Sequence, residues 1–416
     1  MKLTIVTCTH NRKYLNEVLE SLLRQTDPDW SWLIVVNGKA LETSEPFPID
    51  NRIRFRPSKL KEVSVGAFKR EAFDMVDEGI IVELDHDDLL TSNAVEEIKK
   101  AFEDSEIGFV YSDCAEFKDE TWEPVTFNSI YGWTRRTERI DDKILITMEA
   151  FEPSPHSLGY IWWSPNHVRA WRKDAYDKAG KHDPTFRIID DHDLICRTYL
   201  ITKFKRIPKC LYLYRHYAGQ TYRVYNKEIQ EKTQEVYNKY FYQLAKRWCE
   251  LNGYRKIDLG AAHGKPEGYE GVDLVNSDIT ADLNKKWPFE DSSVGMIRAN
   301  DIFEHLPNKI HTMNEAYRVL VDGGLLLVMV PSTEGRGAFQ DPTHKAFWNI
   351  NSFWYYTNPF YAKYVPEIKC KFQVVKLLNY YPSKWHEQNK ILYTMAHLSA
   401  YKGKRFAGLL EWKKEE

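Results

Sequence analysis

Ile80-Ile81-Val82-Glu83-Leu84-Asp85-His86-Asp87-Asp88 is an apolar run of strand length that empties into a cluster of carboxylates. A buried strand that ends in charge belongs to a mostly parallel sheet, whose ligands gather beyond the carboxyl ends of the strands. Upstream, Leu3-Thr4-Ile5-Val6-Thr7-Cys8 is rich in β-branched residues and predicts a strand. The stretch Tyr14 to Arg24 then carries Leu15, Val18, Leu19, Leu22 and Leu23 at helical spacing. Trp32-Leu33-Ile34-Val35-Val36 predicts the next strand, stopped by the turn signal Asn37-Gly38. All three strands lead into polar residues, which makes this half of the chain α/β with a site at one edge of its sheet.

From Glu116 to Pro165 the pattern turns irregular, with many aromatics and prolines, and is expected to shape a substrate pocket. Residues 226–251 place Val236, Tyr237, Tyr240, Phe241, Leu244, Ala245 and Trp248 on one face of a long helix. Directly after it Arg255-Lys256-Ile257-Asp258-Leu259-Gly260 opens a second α/β series. Its further strands are expected at Gly271 to Leu274, Val294 to Ala299 and Gly324 to Pro331. The expected organisation is a first domain over 1–225, a connecting helix over 226–252, a second domain over 253–400 and a charged tail over 401–416.

With 416 residues, two domains are the better prior than one core. The 58 basic and 60 acidic residues nearly balance, so no global field draws the chain to nucleic acid or an anionic membrane. Six scattered cysteines form no CxxC pair and no zinc spacing, which suits a reducing compartment. The apolar start breaks at Thr9-His10-Asn11-Arg12 and no run reaches the roughly 18 residues of a membrane span, so a cytoplasmic protein is expected.

A second acidic cluster, Asp190-Asp191-His192-Asp193-Leu194, follows the first by about a hundred residues. Transfer of a sugar from a nucleotide diphosphate needs two kinds of carboxylate. One kind holds a divalent cation at the diphosphate leaving group, for which Mg²⁺ or Mn²⁺ prefers oxygen ligands. The other takes the proton of the acceptor hydroxyl. Asp85, Asp87 and Asp88 suit the first task and Asp191 the second. Plainer readings stand beside these: the first cluster ends a strand and caps a helix beginning near Thr91, and the second starts a helix in which Asp193 and Arg197 pair.

Four segments in order, Thr7 to Arg12, Leu84 to Asp88, Asp190 to Leu194 with Arg197, and Tyr214-Arg215-His216, resemble a family 2 inverting glycosyltransferase of the GT-A fold over residues 3–222. The resemblance implies that Asp85 and Asp87 form the pair at the nucleotide diphosphate and metal, that Asp191 is the base, and that His216 is a further metal contact. It also implies a nucleotide-sugar pocket lined by Thr9, Arg12, Asn37, Asp85 and Asp190. Two departures stand out: Asn37-Gly38-Lys39 replaces the usual Asp-Asp-Gly-Ser turn, and Asp190 stands where Glu is usual.

In the second half, Asp258-Leu259-Gly260-Ala261-Ala262-His263-Gly264, the strand ending in Asp273, Trp287 to Ser293, Phe303-Glu304-His305-Leu306 and Arg318-Val319-Leu320 with Gly323-Gly324 resemble a class I S-adenosylmethionine-dependent methyltransferase over residues 254–395. The resemblance implies a Rossmann-like fold and S-adenosylmethionine binding by Asp258, Gly260, Gly264, Asp273, Asp282 and Asn300. Ala262 stands where relatives have glycine, a position at which the backbone can require φ > 0. His305, His311 and His344 are candidates for catalysis or for packing. Asp341 to Lys345, with Phe347 and Trp348, is a candidate acceptor lid.

The expected protein is thus an N-terminal GT-A nucleotide-diphospho-sugar transferase joined to a C-terminal Rossmann-like methyltransferase domain. It takes a nucleotide diphosphate sugar as donor and a glycan, lipid-linked sugar or other hydroxyl as acceptor, a hydroxylated DNA base being less favoured. Its cofactors are Mn²⁺ or Mg²⁺ and S-adenosylmethionine. Two alternatives stay open: a second domain that only binds acceptor, and a non-catalytic carbohydrate-binding or scaffolding protein. The aromatics Trp122, Tyr131, Trp133, Trp162 and Trp163 suit sugar stacking or a core.

Overall fold

The computed structural model describes residues 1–41, 49–60, 64–127, 129, 132–161, 163–262 and 264–403. Expectations that fall on Tyr131, Trp162, His263 and the tail beyond residue 403 lie outside the described residues. The chain divides into two compact units, Met1–Leu244 and Ala245–Glu416. The division falls inside the long helix Asn226–Asn252.

The first unit is built on one sheet of eleven strands. They are β1 (Leu3–Thr9), β2 (Ser31–Val36), β3 (Ile53–Pro57), β4 (Ile80–Glu83), β5 (Leu89–Leu90), β6 (Ile107–Lys118), β7 (Pro124–Val125), β8 (Arg135–Ile140), β9 (Lys143–Met148), β10 (Arg169–Arg172) and β11 (Lys203–His216). The main order is β3-β2-β1-β4-β10-β6-β11-β5. Strands β1 to β4 run parallel, and β10 is inserted antiparallel between β4 and β6. Ile80, Ile81 and Val82 are all fully buried, because helices cover both faces and no solvent face imposes alternation. The helix Leu15–Leu23 presses Leu15, Val18 and Leu22 onto this core.

The segment read as irregular contains a hairpin of β8 and β9, turned at Asp141 with φ 51°. Its strand Arg135-Arg136-Thr137-Glu138-Arg139 lies largely in water and offers almost no apolar period to read. The helix expected near Thr91 begins at Ala94, after Thr91 and Asn93 have joined side chains.

The second unit holds β12 (Arg255–Leu259), β13 (Glu270–Asp273), β14 (Ile279–Thr280), β15 (Val294–Asn300), β16 (Leu320–Pro331), β17 (Phe372–Tyr380) and β18 (Tyr393–Ala400), in the order β14-β13-β12-β15-β16-β18-β17. The first five run parallel, and β18 is antiparallel to both neighbours. Parallel neighbours are usually joined by a dozen or more residues that include a helix. Here residues 260–269 join β12 to β13 with no helix among the described residues. Gly260 turns the chain at φ +76°, where a Cβ would lie 2.9 Å from that of Ile302. Arg318 closes the far side by holding the carbonyls of Trp287 and Phe289 and the carboxylates of Asp291 and Glu315. Arg318 thereby ties together two of the motifs that carried the resemblance.

Candidate active site

The carboxyl ends of β1, β2 and β4 bring Thr9, Asn37 and Asp85 to one edge of the first sheet. Lys69 enters from the helix Val65–Asp74, which Ser64 caps by accepting from the Ala67 amide at 3.1 Å. The start of that helix lies against the segment leading to the second acidic cluster, with the Gly66 amide donating to the Phe186 carbonyl at 3.0 Å. This seats the Lys69 ammonium 2.5 Å from Glu83 at the end of β4. Burial pushes the Glu83 carboxyl up, but Lys69, His167 and Arg169 outweigh it and hold the group down at about 2. Burial works against the Lys69 charge, and Glu83, Asp190, Asp85 and Asp191 keep that ammonium well above its ordinary range.

Asp85 has the opposite balance. Burial, with Glu83 and Asp87 adding to it and Lys69 opposing, pushes its carboxyl up to about 6. Asp87 accepts from the Tyr217 hydroxyl at 2.8 Å. Asp88 is spent on the fold, accepting from the Tyr212 hydroxyl and the Arg215 amide, each at 2.8 Å.

The second cluster opens the helix Asp190–Ile201, entered through Ile189 at φ 54°. Asp191 lies 2.5 Å from the Arg169 guanidinium and accepts the His192 amide at 2.9 Å. Burial favours its neutral form, but Arg169 and Lys69 win and keep it well below the usual carboxylate range. Asp190 is buried, with one carboxylate oxygen lacking a hydrogen-bond partner and 3.6 Å from the His182 ring. Burial, opposed by Lys69 and reinforced by Asp191 and Glu83, lifts Asp190 to about 7. Burial also pushes His167 and His182 down to about 3, so neither ring supplies positive charge near neutral pH. The permanent cations facing Glu83, Asp85, Asp190 and Asp191 are Lys69 and Arg169, while Arg215 donates to the Asp87 carbonyl at 2.7 Å.

Residues 4–157 match the model of the glycosyl transferase family 2, and residues 254–328 match a methyltransferase domain. The chain carries a family 2 glycosyl transferase domain followed by a methyltransferase domain. Among solved structures, S. aureus TarS 1-349 is similar at 12% identity over 60% of this chain and 72% of that one, with a TM-score of 0.40. S. aureus TarS 1-349 in complex with UDP-GlcNAc is similar at 11% identity over 60% and 73%, with a TM-score of 0.42. A comparison with curated proteins gives no match. The first unit has the GT-A architecture and the second the Rossmann-like one that the two domains call for.

Within the glycosyl transferase domain the remaining expected site residues have these partners. The His216 Nε2 lies 2.6 Å from Glu116 and its Nδ1 2.9 Å from the Tyr222 hydroxyl. Thr9 is fully buried, and its hydroxyl serves the Asn11 backbone. Arg12 is buried, and Asn37, half-buried, gives its amide to the Thr9 carbonyl at 3.0 Å. Asp193 and Arg197 do pair, at 2.7 Å. Trp133 is core, and Trp122 stacks on Phe117 at 4.1 Å, whereas Trp163 lends its carbonyl to the Arg169 guanidinium at 3.2 Å. Sequence reading missed Lys69, Glu83, His167, Arg169 and His182, none of which sits in a motif.

In the methyltransferase domain, Asp258 accepts from Arg298 through both oxygens at 2.8 Å. Asp273 accepts the Ala262 amide at 3.0 Å, placing a carboxylate beside the turn at the end of the second strand. Positive φ falls on Gly260 and Gly264, not on Ala262, so the alanine causes no strain. An open pocket of about 520 Å³ lies over this turn, lined by Ala261, Ala262, Gly264, Lys265 and Asn276 to Asp278. Asp282 accepts the Asn284 amide at 3.0 Å as a turn cap, and Asn300 ends β15. The turn, the pocket and Asp273 fit S-adenosylmethionine.

Proposed function

We propose that the first domain transfers a sugar from a nucleotide diphosphate sugar to an acceptor hydroxyl with inversion, as a step of glycan biosynthesis in the cytoplasm. The observation that carries this reading is the pairing of roles among the buried carboxylates. Asp191 is held ionised by Arg169, while the group around Asp85 is short of positive charge.

Asp85 and Asp87 would hold Mn²⁺ or Mg²⁺, which when bound neutralises charge developing on the departing diphosphate. Asn37 and Arg12 border the nucleotide, and Asp190 supports the pocket from behind Asp191. Asp191 accepts the proton of the acceptor hydroxyl as that oxygen bonds to the anomeric carbon and the bond to the diphosphate breaks. A single displacement inverts the carbon. The products are the glycoside, the nucleoside diphosphate and one proton left on Asp191.

The test is a nucleotide sugar hydrolysis screen of the full chain with Mn²⁺, repeated with Asp87→Asn. Release of nucleoside diphosphate from at least one donor, lost in the variant, is expected. Silence across all donors would favour a carbohydrate-binding protein without catalysis.

The second domain is read as binding S-adenosylmethionine over the turn 260–264 and Asp273 and methylating a hydroxyl of the product. Titration calorimetry of the full chain with S-adenosylmethionine tests this. No heat would leave it as an acceptor-binding module.

A further inference from the structure

Glu304 and His305 stand on the single turn Phe303–His305 that follows β15, and His344 stands in the segment after the short helix Gly337–Gln340. The two pieces are locked together: the Glu304 carbonyl accepts the amides of Lys345 and Ala346 at 2.7 and 2.8 Å. One ligand atom from each of Glu304, His305 and His344 lies within 4.8 Å of the other two. Among the described residues this is the one group of three so gathered.

Glu304 is only 3% exposed, and its Oε2 is buried without a hydrogen-bond partner. An unpaired buried carboxylate oxygen is costly to keep and calls for a proton donor or a cation. Both histidines are already oriented. The Nδ1 of His344 lies 2.9 Å from the Ala338 carbonyl and that of His305 3.3 Å from the Thr343 carbonyl. A carbonyl only accepts, so each Nδ1 carries the hydrogen and each Nε2 keeps its lone pair. Donation of the other ring N–H to a carbonyl is how metal-binding histidines are generally oriented. Asp341 tightens the arrangement, holding the Thr343 amide and hydroxyl at 2.8 and 2.6 Å.

We propose that Glu304, His305 and His344 form a site for a divalent transition metal in the second domain. Two imidazoles and one carboxylate select Zn²⁺, Co²⁺, Ni²⁺ or Fe²⁺ over Mg²⁺, and three protein ligands leave a coordination position open for a ligand oxygen. The exposed, stacked rings of Phe339 and Phe347, next in sequence to Ala338 and Ala346, offer an apolar flank to that ligand. The site is chemically distinct from the all-oxygen set of the first domain, so the two are separable by metal and by variant.

The test uses full-length protein stripped with chelator, with Co²⁺ as probe. Visible absorption and bound metal after gel filtration should show one equivalent with d–d bands of low coordination number. His344→Ala and His305→Ala should each weaken binding at least 10-fold, while Asp85→Asn with Asp87→Asn should leave those bands unchanged. Glu304→Gln, nearly the same in shape, controls for misfolding and should weaken binding with unaltered circular dichroism. Absence of the bands, or bands that persist in the His305→Ala/His344→Ala double variant, would overturn the site.

Discussion

Lys69 shows how one buried charge sorts its neighbours. It draws the Glu83 carboxyl down and leaves Asp190 high, although both are buried acids within its reach. Asp190 therefore carries a pH signature. Its folded value of about 7 exceeds an unfolded value near 3.9, so between those limits the folded chain holds the extra proton. Its contribution to stability is fully present below the unfolded value and declines as pH rises through the folded one. Asp190→Asn removes that slope, so the variant should gain on the wild type from about pH 4 to pH 7, by at most about 1.4 kcal/mol per pH unit. Urea midpoints across that range check it. Asp191 predicts a different readout: Asp191→Asn should lower the turnover of transfer about 10²- to 10⁴-fold and, because it takes the carboxylate from the buried Arg169, also lower the melting temperature. Of these residues Asp85, Asp87, Asp190 and Asp191 were legible in the sequence, because carboxylates cluster there at strand and helix ends. Lys69 and Arg169 were not, since a lone cation in a helix or edge run looks like any solvated charge until the fold brings it to a distant acid.

At the scale of elements, the helix Val65–Asp74 is the piece on which the first site turns. A Cβ on Gly66 would lie 2.1 Å from the Asp183 carbonyl oxygen, a backbone atom that cannot swing aside. Gly66→Ala should cost about 1–3 kcal/mol in urea unfolding. It should also slow transfer, because the displaced helix carries Lys69. Strands β1, β2, β4 and β16 could be read from the sequence since burial on both faces writes long apolar runs, whereas β12 and β13 carry charged residues and were marked by the glycine turn between them. The β8–β9 hairpin escaped because water on its exposed strand erases that run, β17 because its partly exposed residues blur the alternation, and β18 because Thr394, His397 and Ser399 are polar yet buried. The Glu116 partner of His216 was not legible for a related reason: it lies on a strand about a hundred residues away in the chain, and only the β6–β11 ladder brings the two side chains together.

Among the described residues each unit has its own large apolar cluster, one around Trp32, Val82 and Val110 and one around Ile257, Ile297 and Leu326. Chains with two cores need not unfold in one step. Calorimetry of the full chain should resolve two transitions, and a nucleotide diphosphate with Mn²⁺ should raise only the one that Gly66→Ala lowers. A single merged transition that both perturbations move together would refute the energetic independence of the cores.

The helix-free link over residues 260–269 has a consequence in time as well as in space. A helix would lock its amides into a ladder and hide them from solvent, whereas this link offers isolated turns such as Gly264 to Ala261 and Tyr269 to Pro266. Its amides should exchange with deuterium long before those of the flanking strands. A small molecule bound over this turn should slow that exchange, a readout that needs no product to be made.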